Sequence, residues 1–117
     1  MPNETNSIDR IFSALADPTR RAVLARLCLG PTGFSVSELA TPFAMALPSF
    51  TQHLAVLEEC GLVRSEKIGR TRMVGLRPDA LREAEKWMVS QRQHWETRLN
   101  QFDSYLKSLV DEKGTAP

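Results

Sequence analysis

The chain has 117 residues, 42% of them hydrophobic and 25% charged, with a formal net charge of +1. That length suits one domain, and the near balance of charge excludes a strongly basic, non-specific nucleic-acid binder, so any DNA contact must be confined to a patch. No apolar run is long enough to span a bilayer, no signal-peptide pattern is visible and the two cysteines form no disulfide framework, so a reducing cytoplasm and no membrane partner are expected.

The first six residues are polar enough for a disordered tail. Ser7 can then cap a brief opening helix that carries Ile8, Ile11, Phe12 and Leu15. Asp17-Pro18 marks a second start, as N-cap and first-position proline. Val23, Leu24 and Leu27 supply that helix's apolar stripe, and Gly30-Pro31 stops it. Ser35-Val36-Ser37-Glu38 is a capping box ahead of Leu39-Ala40, which predicts a short helix over 36–43 and a turn over 43–46.

Residues 47–63 read as a recognition helix. Pro48 suits a first turn, Gly61 suits the left-handed position past the end, and Phe50, Leu54 and Leu57 share one side at i, i+4, i+7. The opposite side carries Pro48, Ser49, Gln52 and Ala55, flanked by Thr51, with no acid before Glu58. Such a face meets phosphates without repulsion, and glutamine can bond adenine through two hydrogen bonds. An ordinary amphipathic surface helix is the alternative. His53 borders the apolar side, where it either donates to backbone from a buried position or contacts phosphate.

Two short strands follow at 62–66 and 72–76, with Ile68-Gly69-Arg70-Thr71 as the turn of a β-wing. Arg64, Lys67, Arg70 and Arg72 stand against the single acid Glu66, a local net of +3 in a chain whose remainder is close to neutral. A basic hairpin directly after a helix of that kind can grip phosphates, whereas its alternative role is an edge kept soluble by charge.

After Arg77-Pro78, Asp79 can cap a long helix over 80–110, followed by a polar tail over 111–117. Leu81, Met88, Trp95, Phe102 and Leu109 recur every seven residues, Ala84, Gln91, Arg98 and Tyr105 hold the second heptad line, and Leu99 and Leu106 widen the stripe. A stripe this long exceeds what a small winged domain can cover. Leu81, Met88, Trp95, Leu99, Phe102 and Leu106, with Ile8 and Phe12 of the opening helix, therefore form the expected dimer surface. An effector pocket among Trp87, Trp95, Phe102 and Tyr105 is the sharper alternative.

The expected fold is mainly α with a small β-hairpin: a winged helix-turn-helix over 1–78 and a long C-terminal dimerisation helix with its tail over 79–117, forming one compact unit. The stretches Ala-Leu-Ala-Asp-Pro-Thr-Arg-Arg (14–21), Ser-Val-Ser-Glu-Leu-Ala (35–40) and His-Leu-Ala-Val-Leu-Glu-Glu-Cys-Gly-Leu-Val (53–63) resemble the ArsR-type bacterial transcriptional repressors. The similarity runs from about residue 8 to residue 76. It implies a homodimer that occupies a pseudo-palindromic operator and leaves it when an effector, of unknown identity, binds. It also implies that Ser49, Thr51, Gln52 and His53 lie at the DNA-contacting end of the recognition helix, with Lys67, Arg70 and Arg72 on phosphates or the minor groove.

The chain departs from that family at three places. Ala46 stands where a serine commonly caps the recognition helix, and Ser49 could take over part of that work. Ser35 and Ser37 replace the Cys-x-Cys pair of metal-sensing members, and neutral hydroxyls do not substitute for thiolates toward soft metals. On the last helix His94 and Glu96 are two apart and point apart, so no metal and no cofactor is expected. Cys28 and Cys60 each sit where a small apolar residue would serve, so both are read as packing residues, with a thiol-redox switch at either as the alternative. Against the repressor stand a winged-helix module that binds another protein, and an enzyme. The enzyme fares worst, since the chain has no nucleophile elbow, no phosphate loop and no paired acids in a common motif.

Overall fold

The computed structural model describes residues 4–114. In chain order the elements are α1 (Glu4–Leu15), α2 (Pro18–Leu27), β1 (Phe34–Ser35), α3 (Val36–Ala40), α4 (Leu47–Glu59), β2 (Val63–Ile68), β3 (Thr71–Leu76) and α5 (Pro78–Gly114). The strands form one antiparallel sheet in the order β1-β3-β2. Residues through Ala84 make up one compact unit, and the rest of α5 makes up another.

Helix ends follow local chemistry. Asp17 caps α2 by accepting from the Arg20 backbone N–H at 3.0 Å, with Pro18 in the first position. At α3 the capping box is complete: Ser35 Oγ accepts from the Glu38 N–H at 3.1 Å, and Glu38 Oε1 accepts from the Ser35 N–H at 3.0 Å. At the far end of α4 the Leu62 N–H reaches the Leu57 carbonyl and the Gly61 N–H reaches that of Glu58, a Schellman closure with Gly61 at φ +83°. Leu62 and Leu57 are both buried there, so the closure also seals the core.

Phe50, Leu57 and Leu39 are fully buried with Ile11, Val23, Val63 and Val74. Burying one such side chain is worth about 1.5–3 kcal/mol, so these seven dominate the stability of the winged unit. Phe43, in the turn between α3 and α4, lies 5.3 Å from Phe50 between ring centroids and pins that turn to the core. The first turns of α5 add Ala80 and Ala84, both buried.

Several boundaries differ from the sequence reading. The first helix begins at Glu4, so Ser7 lies inside it rather than capping it, and residues 4–6 are helical rather than tail. The short helix stops at Ala40 instead of 43, with the Thr41 hydroxyl donating to the Ser37 carbonyl over its last turn. The wing strands reach further toward the turn than expected, leaving two residues, Gly69 and Arg70, between Ile68 and Thr71. Gly69 has φ +65° and, among the described residues, no non-glycine residue has positive φ, which matches the glycine-first two-residue hairpin turn. The expected hairpin is in fact three-stranded, because Phe34 and Ser35 pair with Val74 and Met73. Gly33 allows that pairing: its φ is +79°, and a Cβ there would sit 2.5 Å from the Val74 carbonyl oxygen. The last helix starts at Pro78, which puts Asp79 inside the first turn, bonded to Arg82 rather than capping, and it continues through 111–114. Residues 1–3 and 115–117, the rest of the two expected tails, lie outside the described residues.

Candidate nucleic-acid interface

The helix-turn-helix presents one side of α4 to solvent. Ser49, Thr51, Gln52 and Ala55 are all exposed, while Phe50, Leu54 and Leu57 hold the opposite side in the core. Ala46 is the N-cap of α4 and makes no side-chain cap bond. Thr51 Oγ1 donates to the Pro48 carbonyl at 2.9 Å, which commits its proton to the helix's own first turn. Ser49 and Gln52 are the polar side chains of this face with donors to spare.

His53 is half-buried at the edge of this face. Its Nδ1 stands 3.2 Å from Arg20 Nη1 and 3.9 Å from Asp17 Oδ2. A guanidinium only donates, so Nδ1 is the acceptor in this contact. Its described partner is thus a side chain of α2, not the backbone carbonyl that one sequence reading gave it. Arg20 also donates from Nε to the Ala14 carbonyl at 2.8 Å and from Nη2 to that of Ser13 at 3.1 Å. Arg21 donates to the Leu15 carbonyl at 2.7 Å. The two arginines of the 14–21 stretch therefore satisfy the last carbonyls of α1, and Arg20 ties that helix end to α4. The same cluster lowers the acidity range of Asp17: the Arg20 backbone N–H holds its carboxyl below the ordinary 3.8. The sequence reading found Asp17 by its cap pattern and missed Arg20, whose partners lie on two other helices.

Strand alternation sorts the wing charges. Ser65 and Lys67 share a face with their ladder partners Val74 and Arg72, and that face is the one carrying the buried Val63 and Val74. Arg64 and Glu66 are on the reverse face, paired with each other at 3.4 Å. Thus Lys67 and Arg72 stand on the α4 side, Arg70 is at the exposed turn, and Arg64 faces away. Among the described residues neither Lys67 nor Arg70 has an ion-pair partner.

The remaining sequence candidates fall as follows. Ile8 and Phe12 are half-buried. On α5, Leu81, Met88, Trp95, Leu99, Phe102 and Leu106 are exposed, Trp95 by 67%, as one stripe along the helix. The Ser35 hydroxyl is engaged in the capping box, and Glu96 is paired with Arg92 at 2.9 Å. Cys60 packs against the core and its thiol donates to the Leu57 carbonyl at 3.4 Å; burial pushes that thiol up from the ordinary 9.0. Cys28 corrects the packing expectation, because it is the C-cap of α2 and exposed. Among the described residues no helix is long and apolar enough to cross a membrane.

Comparison with known proteins converges on one family. A helix-turn-helix domain family matches residues 15–66. The HTH-type transcriptional regulator Rv2034 of Mycobacterium tuberculosis is 43% identical over 75 residues, covering 64% of this chain and 68% of that protein. The transcriptional repressor SdpR of Bacillus subtilis is 26% identical over 83 residues, 71% of this chain and 90% of that one. A crystal structure of the ArsR family transcriptional regulator RHA00566 superposes with a TM-score of 0.74 at 47% identity, covering 82% of this chain and 97% of that one. With the helix-turn-helix, the basic wing and the long last helix all in place, the chain belongs to the ArsR family of winged helix-turn-helix transcriptional regulators, DNA-binding proteins that act on transcription.

Proposed function

We propose that this regulator is a homodimeric repressor that occupies a pseudo-palindromic operator and is released by an effector. The observation that carries the reading is the shared side of α4 and the wing: an exposed helix face with no acid before Glu58, next to the cations Lys67 and Arg72. On that reading Gln52 and Ser49 meet base edges, with Thr51 and His53 beside them. Lys67, Arg70 and Arg72 hold phosphates or enter the minor groove. Repression is steric: two recognition helices in successive major grooves, about 34 Å apart, cover promoter DNA. The likeness to the repressor SdpR supports that direction of control.

Dimerisation is supported by the α5 stripe, since Trp95, Leu99, Phe102 and Leu106 are each at least 41% exposed in one chain. Residues 1–78 then bind DNA, 79–117 pair the two copies together with Ile8 and Phe12, and the protein works in the cytoplasm. A thiol-responsive form of this reading rests on Cys28, which is exposed, because burial keeps the Cys60 thiol protonated.

The test is binding to the promoter beside its own gene, with an unrelated duplex as competitor. Gln52→Ala is expected to cost about 1–3 kcal/mol and to relax preference at one base pair, whereas Arg70→Ala weakens all sequences alike and lowers the salt slope by about 1. Trp95→Glu is expected to sediment as a monomer. Full affinity in both DNA-face variants refutes the helix and wing assignments, and a persistent dimer moves the interface elsewhere.

A further inference from the structure

On the α4 side of the wing three side chains form one hydrogen-bonded chain. Ser65 Oγ donates to Glu58 Oε1 at 2.8 Å and accepts from Arg72 Nη1 at 3.0 Å. A carboxylate only accepts and a guanidinium only donates, so the direction of every bond is set. Glu58 belongs to α4, Ser65 to β2 and Arg72 to β3, which ties the recognition helix to both strands of the wing. Beside the chain lies a notch of about 130 Å³ whose walls include Thr51, Ala55, Glu58, Ser65 and Arg72. Lys67 is directly opposite Arg72 in the ladder, on the same face. Like charges placed opposite each other destabilise a hairpin, and an anion seated between them removes that cost.

We propose that Ser65 and Glu58 are positioning residues that hold the Arg72 guanidinium over this notch, so that Arg72 and Lys67 together receive one backbone phosphate of duplex DNA. The assignment rests on the DNA-binding reading above and adds to it the residues that aim the wing. Arg72 commits one of its five N–H donors to Ser65 and keeps the others for phosphate oxygens, a geometry a fixed planar fork serves better than a mobile one. The Glu58 carboxylate accepts from the Ser65 hydroxyl on the wall of the same notch, where it partly offsets the two cations while no DNA is present. Thr51 brings no donor to the notch, since its hydroxyl is bonded to the Pro48 carbonyl.

The test compares wild type, Ser65→Ala, Ser65→Thr, Arg72→Ala and the Ser65→Ala/Arg72→Ala pair in the full chain. Fluorescence anisotropy is read on a labelled duplex of the promoter beside its own gene and on an unrelated duplex, over a range of salt. Ser65→Ala is expected to weaken promoter binding about fivefold, the loss of one ordinary hydrogen bond. Arg72→Ala should weaken it about tenfold and lower the salt slope by about 1. In the Arg72→Ala background, Ser65→Ala should add nothing, and Ser65→Thr, which keeps the hydroxyl, should stay within about twofold of wild type. A Ser65 that only supports the strand would weaken binding equally in both backgrounds and would not be rescued by threonine; that result overturns the proposal. Unchanged binding in Arg72→Ala with intact wild-type binding overturns the phosphate site alone. A wild type that binds neither duplex overturns it together with the DNA-binding reading.

Discussion

Replacing Arg20 by methionine keeps the apolar stem of the side chain and removes three hydrogen bonds at once. Two of them are partly buried, to the Ala14 carbonyl at 2.8 Å and to His53 Nδ1 at 3.2 Å. The third, to the Ser13 carbonyl at 3.1 Å, is exposed, so water replaces it at little cost. Ala14 is 0% exposed, and its carbonyl has poor access to water once the guanidinium is gone. Taking about 1 kcal/mol or slightly more for each partly buried bond, the loss comes to about 2–3 kcal/mol. At about 2.1 cal/mol/K of unfolding entropy per residue, this corresponds to a fall in Tm of about 10 °C. Reversible urea unfolding at fixed protein concentration measures the loss directly, with the midpoint shifting and the slope unchanged. His53→Ala should cost about 1 kcal/mol alone and show a coupling of about 0.5–1 kcal/mol with Arg20→Met, because the two share a bond. Arg20→Lys should recover little, since one ammonium cannot reach acceptors on α1 and α4 together. A loss below about 0.5 kcal/mol in Arg20→Met, or additivity with His53→Ala, refutes the view that this arginine joins the two helices.

Two further outcomes follow from the helix ends. Ala46→Ser supplies the hydroxyl that the N-terminus of α4 lacks and is expected to stabilise the protein by about 0.5–1 kcal/mol in the same urea assay; no gain means that the Ala46 backbone, φ −65° and ψ 146°, does not let the hydroxyl reach its N–H. At low pH, Asp17 and Glu38 govern the first loss of stability. Hydrogen bonds from the Arg20 and Ser35 backbone N–H groups hold the two carboxyls below their ordinary 3.8 and 4.5. Each folded-state value is depressed, so its contribution is complete above the ordinary value and is lost as pH falls through the lower one. Asp17→Asn with Glu38→Gln should therefore flatten the stability profile from about pH 4.5 downward, as read by urea midpoints across that range; an unchanged acid limb would place the responsible carboxylates elsewhere.

Much of this architecture was legible without coordinates. Asp17-Pro18, the Ser35/Glu38 box, Gly61 and Gly69 all report interactions closed within a few residues, and each marks in the structure the end or turn it marked in the sequence. The same holds for the buried side of α4, because Phe50, Leu54 and Leu57 share a face through helical periodicity alone. Where the boundaries moved, a neighbour decided. A two-residue strand at Phe34–Ser35 has no propensity signal of its own and exists because Val74 and Met73 offer a free edge and Gly33 lets the chain reach it. Thr41 ends α3 before the expected 43 because Phe43 is drawn onto Phe50.

The candidate interface divides along the same line. Amino-acid order alone determined which residues are small, polar or cationic in 47–72, and therefore that an acid-poor helix face is followed by a basic hairpin. Tertiary structure alone decided which of those charges share the helix's side: the register sends Lys67 and Arg72 toward α4 and pairs Arg64 with Glu66 on the reverse face. It also decided that His53 meets Arg20, 33 positions away, and that Ser65 links Glu58 to Arg72. Caps, turns and periodicity act through the few residues nearest in the chain and so are written in local order, whereas a hydrogen bond between distant elements depends on packing and register, which the whole fold sets.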